Sequence, residues 1–293
     1  MKQFALLLCL LFLLLIFHNE TVAGTQNGLL LWYQILIPSL LPFILVTNAL
    51  AETNAYQSAA NRFRKLCPGR IYEIMAIFLG NLCGYPLGGK ILNDFVRNNY
   101  IKESTANRLL SLTSQASPMF LIGYVHLHII KNELPLPVFL ISIYLPILLY
   151  YPFIKNTEQS AFQNTNTYSN HTLCITDTFL HAVQTMVMIG MYVIVFSILL
   201  CILLPICTHN VPKLLLSFLE ITTGLKLLSS LSISPVLKLS LLCALSAFGG
   251  LCSAFQILGV LDYKTASIKK YLLDKLLLSA GTFLIIWIYC TVF

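Results

Sequence analysis

The sequence predicts an all-α integral membrane protein, and three observations carry that reading. Hydrophobic residues make up 57% of the 293-residue chain and charged residues only 10%, with a mean hydropathy of +0.80; soluble domains carry roughly 25% charged residues. Apolar segments recur at 4–18, 29–51, 71–96, 106–130, 134–154, 178–207, 213–232, 235–261 and 271–293, and most suit a hydrocarbon core that about 20 helical residues cross. Four of these segments are interrupted in two pairs. The first pair is Gly80-Asn81-Leu82-Cys83-Gly84-Tyr85-Pro86-Leu87-Gly88-Gly89-Lys90 and Ser114-Gln115-Ala116-Ser117-Pro118; the second is Glu220-Ile221-Thr222-Thr223-Gly224 and Ser246-Ala247-Phe248-Gly249-Gly250-Leu251-Cys252-Ser253. Broken helices at membrane depth survive only where protein buries the freed backbone or a wet cavity receives it.

Residues 1–24 read as an N-terminal transmembrane helix. Lys2, the apolar run from Phe4 to Phe17 and the small pair Ala23-Gly24 also fit a signal peptide; an uncleaved helix is the preferred reading. Segments 71–96 and 213–232 are expected to be re-entrant hairpins. With the other seven segments crossing, the cytoplasmic side then receives Lys2, Arg62, Arg64, Lys65, Arg70, Arg97, Lys102, Arg108, Lys155, Lys264, Lys269, Lys270 and Lys275, against Lys131, Lys213, Lys226 and Lys238 outside. That asymmetry follows the positive-inside rule better than nine crossings do. The protein is accordingly expected in the cell membrane as a multi-pass chain. The excess of basic residues needs no nucleic-acid partner, and the lipid bilayer is the expected one.

Sliding the chain against itself aligns the interruptions by type, spacing and order. Phe78 to Gly84 falls over Phe218 to Gly224, and Leu109 to Pro118 over Leu241 to Gly250. Residues 25–154 and 178–293 each read as helix, re-entrant hairpin, broken helix, helix, joined by a polar linker at 155–177. Three crossings per half invert the second copy, an architecture of transporters whose sites lie near the midplane where discontinuous helices meet.

The candidate binding residues sit in the interruptions. Gly84, Pro86, Gly88 and Gly89 permit a tight turn at the first tip, and Asn81 and Tyr85 place polar atoms there; plain kinks without a ligand are the alternative for the glycines. Glu220 lies mid-segment, where an ionised carboxylate is costly. It is open to three functional roles, cation ligand, proton carrier or partner of Lys90, and to a structural one as a shallow or paired charge. Thr222 and Thr223 offer hydroxyls, although such groups often bond their own backbone. Gln115 and Ser117 with Pro118, and Gly249 with Gly250, break the two later helices and free carbonyls for Na⁺ or a proton-bearing group. Gln256 faces either the cavity or a neighbouring helix. The nine cysteines lack a C-x-x-C pair and read as small buried hydrophobes. No spacing of His126, His128 and His181 makes a metal cage, and no hydrolase, zincin or phosphate-loop pattern occurs. No enzyme activity and no cofactor are expected, and the substrate class is a small molecule or cation.

Several stretches carry a resemblance: Gly28 to Trp32, Ile37 to Phe43, Gly84 to Lys90, Ala106 to Leu110, Ser117 to Gly123, Glu220 to Gly224 and Phe248 to Leu251. In this order, from about residue 20 nearly to the end, they resemble the YlbJ family of bacterial sporulation integral membrane proteins, within the nucleoside-recognition Gate domain group. The chain departs at Gln115-Ala116, where a more Asn- and Gly-rich run is expected. The resemblance implies a Gate architecture like that of concentrative nucleoside transporters, in which two hairpins and two broken helices surround the substrate. It also implies a transporter-like permease of a small polar solute, nucleoside-like or other, acting in endospore formation. Two alternatives stand beside it: a non-transporting sporulation membrane protein that binds partners, and a metal permease, because Gly80-x-x-Cys83-x-x-Pro86 looks like a ferrous-iron transporter gate element.

Overall fold

A computed structural model of the chain describes residues 2–53, 55–63, 70–154, 175–262 and 266–292. The linker expected at 155–177 lies outside the described residues as far as 174. Among the described residues there is no β-strand.

The chain opens with α1 (Lys2–Ile16) and α2 (His18–Leu31), which runs through a π-type turn at Trp32–Leu36 into α3 (Ile37–Glu52). The polar stretch 19–28, between the apolar segments 4–18 and 29–51, is helical, and the boundary expected at residue 24 falls inside α2. The reason lies in Gly24 and Gly28, one helical turn apart. A Cβ on Gly24 would stand 2.6 Å from Ile198 Cα, and one on Gly28 2.7 Å from Ile194 Cα. Small residues at this spacing let two helix backbones approach closely, and α2 lies along α10.

After α4 (Ala55–Phe63), α5 (Ile71–Cys83) and α6 (Leu87–Arg97) form the first hairpin. Their 13 and 11 residues correspond to about 20 and 16 Å of helix, short of the roughly 30 Å hydrocarbon core. Next, α7 (Glu103–Thr113) is interrupted at 114–117 before α8 (Pro118–Phe120), which continues as a π-type stretch, Leu121–Ile129. The first set of elements closes with α9 (Leu136–Ile154).

A second set of elements follows. It begins with α10 (Ile175–Leu203), followed by a short 3₁₀ turn at Leu204–Ile206. The hairpin α11 (Asn210–Ser217) and α12 (Ile221–Ser229) comes next. Then α13 (Pro235–Phe248) and α14 (Gly250–Val260) flank a break at Gly249, and α15 (Ile268–Val292) ends the set. Among the described residues, five helical runs are long and apolar enough to cross a membrane: His18–Leu50, Leu136–Ile154, Thr176–Ile206, Pro235–Val260 and Ile268–Val292. The protein is a multi-pass α-helical membrane protein.

Apolar packing holds the hairpins in place. Phe95 of α6 sits fully buried with Tyr56 and Tyr72 edge-on at 5.0 and 5.6 Å, and Tyr72 stacks on Tyr100 at 4.5 Å. The second hairpin is embedded through Leu225 and Leu228 against Phe139, Leu245 and Phe248.

Candidate functional site

Each hairpin tip is stitched by backbone to the break of the following helix. In the first set, Gly84 N–H closes α5 on Gly80 O at 2.8 Å, and Tyr85 N–H then donates to Gln115 O at 2.8 Å. Gly84 holds φ +84, and a Cβ there would meet Ser117 N at 2.7 Å, so the tip seats against the break only with glycine. In the second set the break donates instead: Leu251 N–H to Phe218 O at 2.8 Å and Cys252 N–H to Leu219 O at 2.9 Å. Gly249 makes that break, ending α13 in the left-handed region at φ +89.

Between the two stitched corners lies a cavity of about 30 Å³. Tyr85 lines it from the first tip and Ala116, Ser117 and Phe120 from the first break. Glu220, Ile221 and Thr222 come from the second tip, with Gly249, Cys252, Ser253 and Gln256 from the second break and Leu36, Ser39 and Leu40 from the α3 region. By volume it holds one or two waters.

Glu220 is the acidic member of this lining and is buried. Its backbone is extended and its carboxylate caps α12, accepting from Thr222 N–H at 2.9 Å and Thr223 N–H at 2.7 Å. A carboxylate at a helix N-terminus is favoured by the macrodipole and by otherwise unpartnered N–H groups. Ser117 does the same for α8, its Oγ accepting from Phe120 N–H at 3.3 Å, with Pro118 in the first helical position. Tyr124 donates to Thr222 O at 3.1 Å, tying the helix after the first break to the second tip.

Of the residues singled out from sequence, Tyr85, Ser117, Glu220, Thr222, Gly249 and Gln256 meet at this cavity. Others lie around it. Gly84 and Pro86 shape the first tip, and Gly250 (φ +83) packs on the second, where a Cβ would approach Ile221 N at 3.1 Å. Asn81 faces α7 rather than the cavity, its Nδ2 donating to Ile77 O and Leu112 O at 2.7 and 2.8 Å. Lys90 does not pair with Glu220: it reaches Asn48 Oδ1, while both Glu220 oxygens are held by their own helix. Thr223 Oγ1 is buried without a hydrogen-bond partner. Gln115 is wholly buried, but its side chain turns away from the cavity toward α15. Gln256 bonds within α14, Nε2 to Cys252 Sγ at 3.3 Å.

One central residue was misplaced by the charge count. Lys275, assigned above to the cytoplasmic edge, is fully buried in α15. Its Nζ donates to Ser114 O at 2.9 Å and to Gln115 Oε1 at 2.8 Å, inside the first break. The reason shows only in the packing. Tyr271, Asp274, Lys275, Leu278, Ser279, Thr282 and Ile286 form one buried stripe at helical spacing, so Lys275 belongs to the packed face of α15. Ser39 was also missed, since nothing local marks a lone serine in an apolar helix.

Cys83 lies elsewhere, packed among Leu40, Ile44, Leu87 and Met186. Among the described residues no group of three His, Cys, Asp or Glu side chains is placed to hold a metal.

The fold and site define a class: a polytopic membrane protein with two helical hairpins and two broken helices gathered round a small cavity that is mostly apolar, with a few polar side chains. One comparison supports the membrane part of this description. The chain is 24% identical to the sporulation integral membrane protein YlbJ of Bacillus subtilis (strain 168) over 303 aligned positions, covering 87% of this chain and 74% of that protein. The chain is thus a membrane protein related to YlbJ. No protein-family model matches it, and no solved structure does.

Proposed function

We propose that the protein is a transporter-like permease of a small polar solute, not an enzyme, acting in endospore formation. One observation carries the reading: two hairpin tips and two helix breaks, one of each from either set of elements, line a single cavity with Tyr85, Ser117, Glu220, Thr222, Ser253 and Gln256. In transporters of inverted-repeat design, discontinuous helices meet in this way at the substrate site. The two sets are then inverted Gate-like repeats, and the hairpins are re-entrant, since their arms are too short to cross. The sporulation role follows the relationship to YlbJ.

The cavity also sets a condition on mechanism. Pockets that hold drug-sized ligands measure about 300–1,000 Å³, so a nucleoside-like solute enters this site only when the tips part. The arrangement described is the occluded member of an alternating-access cycle. Hydroxyls, an amide and one carboxylate favour a solute rich in hydrogen-bond donors.

The test is thermal unfolding of the purified protein against nucleosides, nucleobases, amino acids and divalent metals, followed by uptake into proteoliposomes of whichever class stabilises it. Stabilisation and uptake by one solute class, both lost in Ser117→Ala or Thr222→Ala, is the expected result. Uptake failing for every class, with sporulation left intact by Glu220→Gln, would instead favour a scaffold that binds partners.

A further inference from the structure

The first break carries a buried lysine amine that the proposed transport path does not use. Lys275 is 0% exposed, yet its ammonium is placed against neutral oxygens rather than a carboxylate: Ser114 O, freed by the interruption of α7, and Gln115 Oε1. The adjacent Asp274 is engaged elsewhere, accepting from Tyr150 Oη at 2.9 Å and Ser111 Oγ at 3.3 Å. Two further polar oxygens, Ser114 Oγ in the break and Asn81 Oδ1 on α5, are buried without a hydrogen-bond partner, and Asn81 is bonded to the last turn of α7 through Leu112 O. A cluster of carbonyl, amide and hydroxyl oxygens at the end of a broken helix has the donor set of a hard monovalent cation site.

We infer that Lys275 is a tethered cation, its ammonium occupying the position at the first break that a free alkali cation would otherwise take. An ammonium is a compact point charge with three donors, two of them used here. When protonated, Lys275 sets its charge against the carbonyl dipoles of the break without a diffusible ion. Removing it leaves the same oxygens unpaired and without a cation. Any permease cycle built on this site then runs without an alkali cation at the first break. That consequence rests on the transport reading, whereas the cation site itself is measured independently of it.

The experiment is thermal unfolding of the full-length protein in sodium, potassium, lithium or choline chloride at constant ionic strength. Wild type is expected to melt at one temperature in all four. Lys275→Ala is expected to melt several degrees lower in choline and to recover, saturably, with one alkali cation; adding Gln115→Ala should remove that recovery. Lys275→Arg retains the charge and should melt alike in all four salts. If Lys275→Ala cannot be recovered folded, the wild-type and Lys275→Arg titrations decide. A saturable alkali response in wild type that Gln115→Ala abolishes overturns the inference, as does a Lys275→Ala protein equally destabilised in every salt. Failure of solute uptake leaves these melting curves unaffected, so the two proposals can fail separately.

Discussion

Glu220 is both a helix cap and a cavity wall, and the two roles separate by substitution. Loss of an N-cap acceptor costs about 1 kcal/mol, within a range of roughly 0.5–2. Glu220→Ala, which frees both Thr222 N–H and Thr223 N–H, should therefore lower the unfolding free energy of the protein by about that amount. Glu220→Gln keeps a side-chain acceptor and should lose less, while removing the charge from the cavity. If the glutamine variant melts near wild type yet fails to support sporulation, the carboxylate matters to function beyond capping; unchanged sporulation in both variants would reduce Glu220 to a cap. Lys275→Met leaves Ser114 O and Gln115 Oε1 buried and unpaired; at about 1–3 kcal/mol for each such group, it should be among the more destabilising single changes, which thermal melts will test. Glu220, Tyr85 and Ser117 were legible in the sequence because each sits in an interruption of an apolar run. Lys275 was not, because a lysine seven residues into an apolar helix looks the same whether it snorkels to the interface or turns inward. Only the contact with Gln115, 160 positions away, distinguishes the two.

The elements were legible where length and punctuation decide and illegible where packing does. Gly84 and Pro86 mark a turn by their own stereochemistry, so the first hairpin could be read locally. The second tip, Phe218-Leu219-Glu220, has no glycine or proline, and its turn is held by the break donating to it from Leu251 and Cys252. The helix runs on past the boundary expected at residue 24 because its stability comes from α10 and not from its own polar composition. Gly24 and Gly28 test that explanation. A leucine at Gly28 would drive Cβ to within 2.7 Å of Ile194 Cα and push the helices apart. Gly28→Leu is therefore expected to lower the melting temperature clearly, while Gly123→Leu, at a position where a Cβ meets nothing within 4 Å, should change it little. Equal effects would show that close backbone approach is not what holds α2. The same logic applies inside the first hairpin, where a Cβ on Gly88 would fall 1.9 Å from Thr113 O. Gly88→Ala should displace α7 at the start of its break.

At the scale of the molecule, elements of the first set meet elements of the second. The opening helices α2 and α3 lie against α10, α9 lies against α15, α6 against α14, and α12 against the helix that follows the first break. A cavity formed this way opens only if one stitched corner moves relative to the other, and Cys252 reports the movement because its side chain borders the cavity. In a protein retaining Cys252 as its sole cysteine, modification by a small maleimide should be slow, since the residue is only 3% exposed. Gly84→Ala places a Cβ 2.7 Å from Ser117 N and strains a left-handed backbone position, which weakens the Tyr85-to-Gln115 stitch. On that background the labelling rate should rise several-fold, and a solute that binds between the tips should slow it again. The corresponding labelling of a protein with Cys83 as sole cysteine should respond less to solute, because that thiol packs behind Leu40 with Ile44 and Leu87 and is not itself among the residues that line the cavity. Should Cys252 label at one rate in both backgrounds, the first tip is not a gate, and access to the cavity must be sought at the second, where α11 and α12 are short enough, at eight and nine residues, to swing as one body.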